Sequence, residues 1–161
     1  MNVPEDKVYI FNTHFFSTLT RRVPGQKGSI NYSAVARWTS KDDLFGYDYI
    51  VVPINQDAHW YLALICNAPN IARTPAIEDT ESLAKPDPET AVRALKDYIR
   101  EEGRDKRGMD AVITQNAFYA KSDQIPLQEN FSDCGVYLLG YTQKFFEDPD
   151  RFKNRLLSGQ M

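Results

Sequence analysis

Residues 49–66 read YIVVPINQDAHWYLALIC. The first run, Tyr49 to Ile54, is apolar and β-branched, the composition of a buried strand, and it ends in the region of Pro53. The second, His59 to Cys66, is another apolar run. Asn55 to Ala58 between them is polar and short enough for a hairpin. The stretch therefore predicts two antiparallel strands, with His59 opening the second.

Working outward, Val8 to Leu19 spaces Tyr9, Phe11, Phe15, Phe16 and Leu19 as a short strand or turn entry followed by a helix. Arg21 to Gly28 is a polar turn with Pro24, Gly25 and Gly28. Ile30 to Trp38 places Tyr32, Val35 and Trp38 near one face of a second short helix. Downstream of the hairpin, Asn67 to Glu89 holds Pro69, Pro75, Pro86 and Pro88 with acids between them, which predicts a long loop. Thr90 then caps a helix carrying Ala91, Leu95, Tyr98 and Ile99, and Gly103 ends it. Arg104 to Arg107 reads as a solvated charged turn, and Ala111 to Thr114 as a possible third strand. Ser132 and Asp133 are N-caps for a helix from Cys134 to about Glu147, whose apolar positions Val136, Leu139, Phe145 and Phe146 mark a buried segment. Pro149 can start a last helix through Phe152 and Leu156. Helices around a small, mostly antiparallel sheet make the fold class α+β.

The chain has 161 residues, 42% hydrophobic and 25% charged, enough for one domain with a real core. A net charge of -3 argues against nucleic acid as the main partner. No apolar run is long enough to span a bilayer, and no signal-peptide pattern opens the chain. Cys66 and Cys134 sit in very different contexts, so a disulfide framework is not expected and a reducing compartment fits. Two cysteines and two histidines show no structural zinc spacing.

Cys134 follows two capping residues and precedes an apolar helix, which predicts the first helical turn. A thiolate there faces free backbone N–H groups and the positive end of the helix dipole, which lowers its pKa. A buried, inert thiol is the alternative that placement alone leaves open. His59 opens a strand after a turn, where its ring can meet a helix N-terminus docked on the sheet edge. It can equally be a partly exposed turn histidine. His14, among aromatic residues, reads as a structural or surface histidine. Gln128 can donate its amide to a developing oxyanion near the cysteine, or be a plain loop residue. Gly135 lets another chain approach the nucleophile closely. The segment QIPLQENFSDCGVYLL, residues 124–139, thus combines amide donor, caps, nucleophile, glycine and apolar helix.

His59-Trp60 together with Gln128 and Ser-Asp-Cys134-Gly resembles the Ulp/SENP family of SUMO-specific cysteine proteases. YDYIVVPINQDAHW, KVYIFNTHFFSTLT, NYSAVARWTSKDDLF and DCGVYLLGYTQKFFEDP are similar to family segments, most of all to the branch that trims SUMO chains. The order His then Cys separates the chain from papain itself, where Cys comes first. The resemblance implies the α+β fold of the papain-like superfamily. It implies one catalytic domain over residues 1–161, with a variable loop at 67–89 and a start downstream of a family segment bearing a Leu-Asn-Asp type motif. The implied activity is cleavage after the C-terminal Gly-Gly of SUMO in conjugates or chains. Cys134 would attack the carbonyl, His59 would carry the proton, and Gln128 with the Cys134 N–H would hold the oxyanion. Trp60 would roof a narrow tunnel, with Asp133 and Gly135 beside the substrate.

The resemblance also implies no metal or cofactor, SUMO and SUMO-conjugated proteins as partners, neither nucleic acid nor membrane, a monomer, and a nuclear location. The family's third member is an Asp in an Asp-Ser-Leu pattern ending an apolar strand. Glu81-Ser82-Leu83 is the best match, after the poor strand AIEDT; Asp79 and then Asp87 are the other candidates. Glu can orient the His59 ring as Asp does. Otherwise a strand of the family is missing and activity falls, leaving a catalytically weak SUMO-binding domain. A protease for another ubiquitin-like modifier is the remaining alternative.

Overall fold

A computed structural model describes residues 3–26, 28–56, 59–71, 88–108 and 134–158. Its strands are β1 (Val8–Ile10), β2 (Tyr49–Gln56) and β3 (His59–Cys66). Its helices are α1 (Phe15–Leu19), α2 (Tyr32–Val35), α3 (Ala68–Ile71), α4 (Pro88–Arg107), α5 (Cys134–Glu147) and α6 (Pro149–Ser158). Among the described residues the sheet order is β1-β2-β3. β2 and β3 pair antiparallel from Tyr49–Cys66 to Gln56–His59: the hairpin is as read, but β2 runs on through Pro53 to Gln56, so Asn55 and Gln56 belong to the strand and not to the turn. β1 pairs parallel with β2, so the sheet is mixed and its longer pairing is antiparallel.

The alternation along β2 explains why its run is apolar throughout. Ile50, Val52 and Ile54 point into one cluster with Phe11, Phe15, Leu19, Val35, Leu95, Tyr98 and Ile99, from α1, α2 and α4. Val51 points the other way, into a second cluster with Phe145 and Phe146 of α5. A strand buried on both faces needs no polar positions. Each fully buried large side chain contributes about 1.5–3 kcal/mol relative to exposure. The result is helices on both faces of a small sheet, an α+β architecture.

α4 departs from the reading in three ways. It starts at Pro88, not after Thr90, and proline is accepted in a first turn because its missing N–H has no partner there anyway. It runs through Gly103 rather than ending at it, and Arg104 to Arg107 form its last turn instead of a solvated one. Tertiary contacts outweigh the glycine's weak helix preference: Glu102 accepts from Tyr32 at 2.7 Å and also from Thr39, and Arg107 pairs with Asp43. Lys106 Nζ donates to the Ala36 carbonyl at 3.1 Å. The helix ends instead before Gly108, whose φ of 57° is the left-handed conformation of a C-terminal stop.

The predicted loop from Asn67 to Glu89 is also narrower, because Ala68–Ile71 is helical and α4 already begins at Pro88. In α5, Phe145 and Phe146 are buried as expected, but Val136 and Leu139 are each 68% exposed. Leu138, Tyr141, Thr142 and Phe145 recur every three or four residues on the packed side, and Val136, Leu139 and Gln143 fall opposite. α5 is apolar on more than one face, so composition alone does not reveal which face packs. The predicted strand at Ala111 to Thr114 lies outside the described residues.

Candidate active site

β3 opens on His59, which stands opposite Gln56 at the tip of the hairpin, with Trp60 opposite Asn55. Both His59 and Trp60 are half-buried. The neighbouring Tyr61 hydroxyl donates to Gln56 Oε1 at 2.9 Å, bracing that tip across the two strands. The short polar turn is what makes this position: it reverses the chain just before the second apolar run.

α5 opens on Cys134. As the first residue of a 14-residue helix, its backbone belongs to the turn whose N–H groups have no intrahelical partners. No acid stands in that turn, and the basic Lys144 lies in the last; the positive end of the helix dipole is where Cys134 is attached. Gly135 is half-buried, and a Cβ built on it meets nothing within 4 Å among the described residues.

α5 packs against β3, and the far ends of the two elements are joined. Phe145 and Phe146 in the last turn of α5 form, with Val51, a cluster against which Leu62, Leu64 and Cys66 of β3 pack, and the Phe145 ring lies 5.2 Å from that of Tyr49. Tyr49 is the register partner of Cys66, at the end of the hairpin opposite His59. The 14 residues of α5 rise about 21 Å and the 8 of β3 about 26 Å. His59 and Cys134 are thus the first residues of two packed elements of similar length, pinned together at their other ends.

Cys66, the other cysteine, is attached at that pinned end. Burial pushes its thiol above the ordinary cysteine value, and the ammonium of Lys153 only partly offsets this. Lys153 is itself held by Asp150 at 2.9 Å. A thiol kept protonated in this way is a poor nucleophile. His14 is exposed at the N-cap of α1, in agreement with a surface role. Gln128, Asp133, Glu81, Asp79 and Asp87 lie outside the described residues. No group of three or more potential metal ligands occurs among the described residues.

Comparison with known proteins fits this arrangement. The Ulp1 protease family, C-terminal catalytic domain, matches residues 2–160. Ubiquitin-like-specific protease 2 of Schizosaccharomyces pombe is 34% identical over 176 aligned positions, covering 89% of this chain and 27% of the relative. The chain therefore spans about a quarter of that relative's length. The alignment is longer than the chain, so the relative carries residues within the matched span that have no counterpart here. A crystal structure of a de-sumoylating protease superposes with a TM-score of 0.72 at 26% identity, over 94% of this chain and 56% of the other. A structure of the SUMO protease Ulp1, with its catalytic cysteine oxidized to a sulfonic acid, gives a TM-score of 0.56 at 27% identity, over 84% of this chain and 56% of the other. With the family matched over nearly all of its length and the same fold found in its solved relatives, this chain belongs to the Ulp1 protease family.

Proposed function

We propose that the chain is the catalytic domain of a SUMO-specific cysteine isopeptidase that cleaves after the C-terminal Gly-Gly of SUMO in conjugates or chains. The observation that carries this reading is the docking of α5, which opens on Cys134, along β3, which opens on His59. The matches to a de-sumoylating protease and to a SUMO protease with a catalytic cysteine support the substrate and the chemistry.

In this reading His59 takes the proton from the Cys134 thiol, and the thiolate attacks the glycine carbonyl carbon. The oxyanion is held by the backbone N–H of Cys134 and the side-chain amide of Gln128. The carbon–nitrogen bond then breaks, and His59 returns its proton to the leaving lysine amine. Water, deprotonated by His59, hydrolyses the thioester and frees the modifier's carboxylate and the thiol. Trp60 roofs the path of the two glycines, which pass Asp133 and Gly135. Glu81 orients the His59 ring, with Asp79 as the next candidate and Asp87 after it. The domain acts as a monomer, in the nucleus, without metal or cofactor.

One observation favours a second reading, a catalytically weak domain that binds SUMO. The relative holds residues within the matched span that this chain lacks. If the family's orienting acid is among those residues, turnover falls, by about 10⁴ in the Ser-His-Asp template when the orienter is lost.

The test is to mix the protein with SUMO bearing a C-terminal electrophile. A covalent adduct at Cys134, absent in Cys134→Ser and His59→Ala, is expected. Binding of SUMO without an adduct would replace the first reading by the second. Neither binding nor adduct, with an adduct to another ubiquitin-like modifier, would reassign the substrate.

A further inference from the structure

The chain from Leu19 to Asn31 closes on itself. The Asn31 N–H donates to the Leu19 carbonyl at 2.6 Å, joining the ends of the segment. Within it the Gln26 N–H donates to the Val23 carbonyl at 3.1 Å, and Gly25 takes a φ of 83° to make the turn. The Gln26 side-chain amide donates to the Ile30 carbonyl at 3.0 Å. This is a compact loop braced by its own groups, a kind that frequently carries function. Beside it lies a recess of about 410 Å³, lined among others by Thr20, Arg21, Arg22, Val23, Ser29 and Ile30.

The charge of the loop is one-sided. Residues 20–31 read TRRVPGQKGSIN, with Arg21, Arg22 and Lys27 and no acid. Arg21 and Arg22 are exposed and make no ion pair among the described residues. By contrast, Arg100, Arg104 and Arg107 each hold an acid, namely Asp97, Glu101 and Asp43. The acid reached from this loop, Asp97, is already engaged, accepting from Ser29 and from Arg100. Val23, next to the two arginines, is 47% exposed. An unpaired guanidinium matches a carboxylate through two parallel hydrogen bonds, and an exposed valine beside it favours an apolar neighbour.

We propose that this recess docks an acidic peptide segment of a protein partner, with carboxylates paired by Arg21 and Arg22 and an apolar side chain resting on Val23 and Ile30. The mixture of two cations with apolar lining favours a peptide over nucleic acid, whose binding rests on a wider basic surface than a chain of net charge -3 offers. The site does not depend on the cleavage chemistry, so it stands or falls separately from the proposed activity.

The test uses the intact chain and a fluorescein-labelled peptide, Asp-Glu-Asp-Val-Ile-Asp-Glu, followed by anisotropy. Binding is expected to weaken at least about tenfold in the double variant R21E/R22E, and to fall with added salt because the pairs are exposed. Val23→Asp is expected to weaken it also. All these positions are exposed, so circular dichroism and the thermal midpoint should stay at the parent values; R21Q/R22Q serves if the charge reversal disturbs the fold. No binding, binding undiminished in both arginine double variants, or tighter binding of an oligothymidylate or of inorganic phosphate than of the peptide would overturn the proposal.

Discussion

The Tyr32 hydroxyl donates to the carboxylate of Glu102 at 2.7 Å, joining α2 to α4 across the sheet's first helical layer. Glu102 is fully buried, and Thr39 donates to its other oxygen. A buried carboxylate is tolerable only when its lone pairs are used, and here both oxygens have a hydroxyl donor. Glu102→Ala removes the acceptor of the Thr39 hydroxyl and leaves the Tyr32 hydroxyl with Asp105 alone, 3.0 Å away, beside a void. It should cost about 2–4 kcal/mol in urea unfolding, against a smaller loss for Glu102→Gln, which keeps an acceptor.

The same cluster sets an alkaline limit. Burial first, and then the Glu102 hydrogen bond, raise the Tyr32 pKa well above its ordinary value near 10; burial and the Glu102 charge do the same for Tyr98. The folded state therefore favours the neutral phenols. Their contribution is complete below the unfolded value near 10 and is lost as the pH rises beyond it. Stability followed by circular dichroism should fall above about pH 10, and less steeply in Tyr32→Phe.

Phe145 anchors the last turn of α5 against Tyr49, in the cluster that Cys66 also packs on. It is 1% exposed, so Phe145→Ala should destabilise the fold by about 3–5 kcal/mol in denaturant melts. If the docking of α5 positions Cys134, adduct formation by the variant should slow further than the lost folded fraction explains. Equal slowing would mean that the helix N-terminus is placed independently of its far end.

The two thiols should differ in reactivity. Burial raises the Cys66 pKa, so at neutral pH iodoacetamide should modify it slowly, with a rate that keeps climbing into the alkaline range. Mass spectrometry of the Cys134→Ser variant checks this directly. Rapid labelling of that variant at neutral pH would contradict the burial of Cys66.

Legibility in the sequence followed the physics of each signal. The hairpin was readable because two β-branched apolar runs and a short polar turn admit few other arrangements, and it fixed the position of His59. Gly103 misled because its local weakness is overridden by Glu102 and Arg107, whose partners are more than sixty positions away and invisible to a local reading. Val136 and Leu139 misled because a helix apolar on several faces does not declare which one packs. Of the candidate site, the strand start at His59 and the helical start at Cys134 were legible from the turn and the apolar runs, whereas the role of Trp60 came only from the family resemblance. The orienting acid was not legible, since a loop carboxylate gives no periodic sign of what it reaches; Glu81, Asp79 and Asp87 differ in sequence only by their neighbours.

The pinning of α5 to β3 at Phe145 and Cys66 also bears on folding order. A hairpin with a short turn forms in about 1–10 μs, whereas docking α5 must first close the long stretch of chain between Cys66 and Cys134. On the proposed roles, the base His59 is then in place before the nucleophile Cys134 arrives. A partly folded or nascent chain would carry the His59 hairpin before the N-terminus of α5 docks, and the proposed proteolytic competence would come only with the last long-range closure. Stopped-flow refolding of a Trp38→Phe variant should show Trp60 fluorescence changing before the protein acquires reactivity toward the SUMO electrophile; simultaneous changes would place both events in one step.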